Sequence, residues 1–227
     1  MCLILLAWHA HRRHPLVVAA NRDELHARSA DRAGFWRDAP EILAGRDLEA
    51  GGTWMGVARN GRFAAVTNYR GGRDVNAVES RGALVTGFLS GDLCPADYVA
   101  GLSGRRASYS GFNLLACDGR ELWWLSNRNG GSRRLKPGIY ALGNFLLDTP
   151  EVDEPKVRFS QALEPAVAVE PLFNLLAGSQ IVAPQYGTRC STVLVTEDDG
   201  AVAYSERAFD AAGATGETVR YEFRLRA

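Results

Sequence analysis

Lysine is almost missing from this sequence: Lys136 and Lys156 stand against 24 arginines in 227 residues. The arginines are scattered along the whole chain, so the imbalance reads as a coding habit rather than a binding patch. Net charge is missing too. Lys plus Arg is 26 and Asp plus Glu is 26. A chain with no basic excess lacks the electrostatic footprint of a non-specific nucleic-acid or anionic-membrane binder. No apolar run approaches the ~18 residues of a membrane-spanning helix. Cysteine is scarce, and Cys2, Cys94, Cys117 and Cys190 form no CxxC pair and have no histidine at zinc-ligand spacing. Isolated cysteines suit a reducing compartment, where most act as small buried hydrophobes, so a cytoplasmic location is expected. Internal repeats, low-complexity stretches and linkers are also absent, and nothing in the sequence sets an oligomeric state.

What is present is ordinary for a globular protein: 46% apolar and 23% charged residues. This length buries a core without a disulfide or metal staple, and the expectation is a single domain over residues 1–227. The opening, Met-Cys-Leu-Ile-Leu-Leu-Ala-Trp, looks superficially like a signal peptide. Its basic residues, Arg12 and Arg13, follow the apolar run instead of preceding it, and no small-x-small cleavage site is there, so the signal reading is rejected.

Cys2 to His11 is apolar on both alternating faces, as a strand inside a layered structure would be. After a polar turn at 11–15, Leu16 to Ala20 reads as a return strand that delivers Asn21-Arg22-Asp23-Glu24 to the neighbourhood of the N-terminus. Residues 27–52 read as irregular. Thr53–Arg59 and Phe63–Asn68 form a hairpin on Asn60-Gly61. Helices are expected over 80–90 and 96–102, with Pro95 at a first helical position and Gly91 and Gly104 as stops. Further strands are expected at Phe112–Cys117, Glu121–Leu125 and Ile139–Asn144, helices near 154–164 and 171–177, and strands near 190–196, 201–207 and 219–225. Runs of strands and runs of helices point to α+β with mostly antiparallel sheets, and two-faced apolar strands point to two stacked sheets with helices outside.

Cys2 is the most informative residue. A small second residue lets the initiator Met be trimmed, which would leave Cys2 with its thiol and a free α-amine on neighbouring carbons. That amine has a reference pKa of ~7.7–8.0 and can serve as the base for its own nucleophile. The thiol starts near ~8.5, and a nearby positive charge lowers it. The returning tetrad supplies an amide, a guanidinium and two carboxylates to hold such a pair. All four histidines, His9, His11, His14 and His26, lie near the start. His9 and His11 would share a strand face, yet the pattern reads as a polar strand end and turn rather than a ligand set. Trp36, Trp54, Trp123 and Trp124 read as core or pocket lining. The Gly-Gly pairs at 51–52, 71–72 and 130–131 do not form a phosphate-binding fingerprint.

These residues carry a family resemblance. Met-Cys-Leu-Ile with Val-Ala-Ala-Asn-Arg-Asp-Glu resembles the NRDE family of transport and Golgi organisation 2-like proteins. Supporting blocks are Leu-Ala-Gly-Arg-Asp-Leu (43–48), Gly-Gly-Thr-Trp-Met-Gly (51–56), Gly-Arg-Phe-Ala-Ala-Val-Thr-Asn-Tyr-Arg (61–70), Ala-Leu-Gly-Asn-Phe-Leu-Leu-Asp-Thr-Pro (141–150) and Tyr-Gly-Thr-Arg (186–189). That family is in turn similar to the N-terminal-nucleophile hydrolases of the bile-salt hydrolase and penicillin V acylase branch. The resemblance implies a four-layer αββα sandwich. It also implies catalytic positions: Cys2 as nucleophile, Asn21 where the branch has an Arg, Glu24 where it has an Asp, Asn68 and Asn144 as oxyanion and amine-binding amides, and Arg189 as the late Arg that closes the pocket. Asn21 in place of a cation deprives the thiolate of a charge partner, and Arg22, as its strand neighbour, points to the opposite face. Arg22, Asp23, Trp54 and Tyr69 are the expected ligand-binding residues.

Two functions follow. One is Cys2-dependent hydrolysis of an amide or thioester. The other is a non-catalytic carrier on the same fold, since the resemblance implies haem trafficking or acyl-CoA and lipid binding. No metal site and no required cofactor are expected, and haem enters only as a carried ligand. The expected partner is a small molecule, with no nucleic acid and no membrane span.

Overall fold

The computed structural model describes residues 2–71, 74, 77–129 and 131–226. Met1, whose removal is expected above, and Gly72 and Gly130 of two Gly-Gly pairs lie outside the described residues.

In chain order the elements are β1 (Leu3–Trp8), β2 (Leu16–Leu25), β3 (Ala30–Phe35), β4 (Ile42–Asp47), β5 (Met55–Ala58), β6 (Phe63–Asn68), α1 (Gly82–Ser90), α2 (Pro95–Gly101), β7 (Phe112–Cys117), β8 (Leu122–Ser126), β9 (Gly131–Leu135), β10 (Gly138–Leu142), α3 (Asp153–Ala162), α4 (Val169–Ala177), β11 (Tyr186–Thr196), β12 (Ala201–Phe209) and β13 (Thr215–Arg224). The chain divides into two compact units.

The first unit comprises Met1–Arg28, Pro137–Gly143 and Leu147–Leu225. It holds a six-stranded sheet in the order β10-β1-β2-β11-β12-β13, antiparallel throughout. Alternation along β1 and β2 sends Leu3, Leu5, Ala7, Val17 and Ala19 to one face. There they pack with Val193 and Val195 against Phe159 of α3 and Leu172, Phe173, Leu175 and Leu176 of α4. α4 repeats apolar residues at helical spacing and buries that stripe. Each such side chain contributes about 1.5–3 kcal/mol on leaving water.

The second unit comprises Ser29–Lys136, Asn144–Leu146 and Arg226–Ala227. Its seven strands run in sequence order from β3 to β9, again antiparallel. Ile42, Ala44, Ala64, Leu114, Ala116 and Leu125 form one face and pack against Leu84, Val85, Phe88 and Leu89 of α1 and Val99 of α2. Pro95 opens α2 as expected, and Cys94 caps it by accepting a hydrogen bond at its sulfur from the Asp97 N–H. Each unit is therefore a helix layer on one face of an antiparallel sheet, the α+β class read from the sequence.

Several expectations change. Residues 27–52 are not irregular: β3 and β4 lie there, paired with a register shift between Asp31 and Gly34. That bulge breaks the period-two pattern, which is why the sequence hid both strands. β9 is a polar outer strand of Ser132, Arg133 and Arg134, with no apolar alternation to announce it. β2 does not stop at Ala20. It runs through the whole Asn-Arg-Asp-Glu tetrad because β11 supplies ladder partners as far as Leu25. β1 ends at Trp8, and His9 takes a positive φ of 44°, so His9 and His11 share no strand face.

The glycines of two family blocks have packing reasons. A Cβ on Gly45 would enter the indole of Trp54. A Cβ on Gly52 would lie 2.6 Å from the backbone carbon and 2.8 Å from the carbonyl oxygen of Gly82, at the start of α1. Backbone cannot swing aside as a side-chain tip does. Gly52→Ala is expected to lower stability by about 1–3 kcal/mol, read as a melting temperature lower by roughly 3–10 °C. An unchanged melting curve would refute that close approach.

Candidate functional site

The sulfur of Cys2 sits at the start of β1, where it donates to the Asp23 carbonyl at 3.4 Å. The ladder ends with Leu3 opposite Asn21; Cys2 lies one residue before it, where continued alternation leads to the face of Arg22, and the Arg22 charge acts on its thiol. Asp23 is buried, and its Oδ1 accepts from Thr188 Oγ1 at 2.6 Å. The Tyr186 hydroxyl donates to the same Asp23 carbonyl at 3.1 Å. Cys2 is half-buried, and loss of solvent around its thiol pushes the pKa up to about 11. The Asp23 carboxylate adds to that rise, while the bond to the Asp23 backbone and the positive charge of Arg22 oppose it. With Met1 attached, the thiol is therefore protonated at neutral pH.

The tetrad alternates, and the alternation separates its roles. Asn21 faces the helices: its Nδ2 donates to the Leu176 carbonyl of α4 at 3.0 Å, and its Oδ1 accepts from Ser191 Oγ at 2.6 Å. Arg22 is buried on the Cys2 face, directly opposite Cys190 of β11. The cation expected to be missing from Asn21's position is supplied one residue later. Glu24 accepts the N–H of Leu25 at 2.8 Å, so Asp23 rather than Glu24 is the carboxylate that bears on the sulfur. Arg189 lies in a register shift between Thr188 and Cys190. One of its guanidinium nitrogens donates to the carbonyls of Leu25, His26 and Arg28 at 2.9, 3.1 and 3.1 Å. That staples the end of β2.

The second unit brings the two expected amides together. Asn68 ends β6, and Asn144 Nδ2 donates to its carbonyl at 2.7 Å. Asn144 itself lies just past β10, in a segment held by Arg70 N–H on the Asn144 carbonyl at 2.6 Å. Asn113 anchors the next residue, donating to the Phe145 carbonyl at 2.6 Å and to Thr67 Oγ1 at 3.2 Å. Tyr69 sets its ring edge-on to Phe145 at 6.2 Å. Trp54 is half-buried against Gly45.

Sequence reasoning missed Thr188, Ser191, Asn113, Cys190 and Glu206. The cluster Thr188, Ser191, Thr192 in an otherwise apolar strand was a usable signal, because polar residues survive in a buried strand only with partners. Glu206, buried at 3% exposure in β12, carried no local signal.

Comparison with known proteins bears on the fold and on the family. The structure is similar to a Caenorhabditis elegans N-acylethanolamine-hydrolyzing acid amidase ortholog, with a TM-score of 0.58 at 10% identity over 86% of this chain and 92% of that one. It is also similar to a mutant of conjugated bile acid hydrolase from Clostridium perfringens, with a TM-score of 0.54 at 9% identity over 99% and 98%. These likenesses define the fold as that of the N-terminal-nucleophile hydrolases. At the level of sequence, the family model for Transport and Golgi organisation 2 matches residues 1–183. The Bos taurus Transport and Golgi organization protein 2 homolog is 33% identical and the Homo sapiens one 32%, each over 99% of both chains. The chain belongs to the Transport and Golgi organisation 2 family.

Among the described residues no helix is long and apolar enough to cross a membrane.

Proposed function

We propose that this chain, once Met1 is removed, hydrolyses an amide or thioester of a small molecule, with Cys2 as nucleophile. The observation that supports it is the seat of the Cys2 sulfur, 3.4 Å from the Asp23 carbonyl and on the face of buried Arg22. Trimming converts a protonated thiol into a self-activating pair. The exposed α-amine takes the thiol proton, and the thiolate attacks the substrate carbonyl carbon. The C–N or C–S bond breaks, and the ammonium returns its proton to the leaving amine or thiol. Water then hydrolyses the acyl-thioester, which restores the thiol. Amide donors aimed at the developing oxyanion typically contribute about 3–4 kcal/mol to an acyl-transfer barrier. Arg22 provides the positive charge that favours the thiolate.

The test is intact mass of the purified protein, followed by incubation with a panel of fatty acyl amides and acyl thioesters. The expected outcome is a chain that starts at Cys2, a single transient acyl adduct on that residue, and release of the acid. Retained Met1, or saturable binding of acyl-CoA or haem with no turnover and no adduct, would overturn the proposal in favour of a carrier.

A further inference from the structure

The Cys2-bearing face of the six-stranded sheet holds more charge than an apolar layer needs. Arg22 is exposed by 7%, Cys190 by 6%, Glu206 by 3% and Thr192 by 1%. The ladder sets them on one face of three neighbouring strands. Arg22 of β2 is opposite Cys190 of β11, and Thr192, two residues along the same face, is opposite Glu206 of β12. Thr192 Oγ1 donates to Glu206 Oε2 at 3.4 Å. Order across the face is therefore Cys2, Arg22, Cys190, Glu206. Both thiols feel Arg22 as an opposing influence on a pKa raised first by burial, and Glu206 adds its charge to the rise at Cys190. Arg22 and Glu206 flank β11, and the charge of each acts on the Cys190 thiol between them; a buried carboxylate and a buried guanidinium on one sheet face are retained where their charges offset.

We propose that Glu206 is a positioning residue for the Cys2 site: it holds the Arg22 guanidinium on the Cys190 side of β2 and so sets how much positive charge reaches the Cys2 sulfur. This rests on the reading of Cys2 as nucleophile. The Glu206 carboxylate and the Cys2 thiolate thus compete for Arg22, and Glu206 limits the share given to the sulfur. Among the described residues, the other titratable groups about this site are Tyr204 of β12 and Tyr221 of β13 near Glu206, Glu24 on the Arg22 face of β2, and Asp23 and Tyr186 beside Cys2.

The test measures the rate of Cys2 alkylation by iodoacetamide against pH in the trimmed protein, with the site read by peptide mass. Glu206→Gln removes a negative charge and frees Arg22, so the thiolate gains. The alkylation midpoint is expected to fall by roughly one pH unit, a tenfold rise in thiolate below it. Arg22→Gln is expected to raise the midpoint, and the double variant is expected to match Arg22→Gln, because Glu206 acts through Arg22. An unchanged midpoint in Glu206→Gln, or an equal fall when Arg22 is already Gln, overturns the inference. Glu206→Asp covers the case in which Gln unfolds the chain. Its charge retreats by one methylene, and a smaller fall in the midpoint with a native melting curve is expected, whereas no fall overturns. Cys2 that stays unreactive at every pH in the wild type brings down the nucleophile reading itself, and the Glu206 role with it.

Discussion

Alanine in place of Cys2 is expected to give a chain that melts like the wild type yet forms no acyl adduct and turns over no substrate. The loss should be on the order of 10³-fold or more, since removal of a covalent nucleophile leaves only binding and oxyanion stabilisation. Stability should hardly change, because the side chain is half-buried and its bond to the Asp23 carbonyl comes from a weak thiol donor. A second chain, with one extra residue kept ahead of Cys2, retains the sulfur and blocks the amine. It should be as inactive as the alanine variant, because a thiol whose pKa lies at about 11 is almost fully protonated at pH 7. Mass spectrometry of the trapped adduct checks both. Activity in the extended chain would show that the α-amine is not the base.

Asn21→Ala is expected to do the reverse: a large loss of stability with Cys2 reactivity intact in the molecules that fold. Asn21 is exposed by only 3%, and it satisfies the Leu176 carbonyl and the Ser191 hydroxyl. Each partner left unpaired in the interior costs about 1–3 kcal/mol. Together they should lower the melting temperature by roughly 5–15 °C. Cys2 alkylation per folded chain should stay within about twofold, since alternation puts the Asn21 side chain on the helix face. Thermal unfolding and alkylation run on the same sample decide the matter. A stable Asn21→Ala variant with a dead Cys2 would return Asn21 to the place beside the nucleophile that the family comparison implied.

That reversal shows how far the sequence could be read. The two-faced apolar strands, the Asn60-Gly61 hairpin and the start of α2 at Pro95 follow from local patterns, and the structure has them. The motif blocks were enough to identify the family and, through it, the fold. Which member of Asn21-Arg22-Asp23-Glu24 faces the sulfur was not legible. It depends on the register of β2 against β1 and β11, and a shift of one residue exchanges the two faces. Alignment by residue type put a cation's place at Asn21 and a carboxylate's at Glu24, whereas the ladder turns Arg22 to the Cys2 face and leaves the Asp23 backbone as the sulfur's acceptor. Arg189 likewise looked like a pocket residue, and its three carbonyl partners make it a fastening for the end of β2. Glu206 was silent because a lone carboxylate in a strand looks exposed until its neighbours are known.

The strand order of the two sheets also dictates a schedule for the nascent chain. β3 to β9 pair only with their immediate successors, so that sheet can zip up as it leaves the ribosome. The sheet that holds Cys2 cannot, because Asn21 meets Ser191 only after another 170 residues have been made. At roughly 5–20 residues per second that is a delay of about 10–35 s. Until then the β1–β2 hairpin has a free edge on β2 where β11 will pair, and Cys2 beside it stays open to an aminopeptidase.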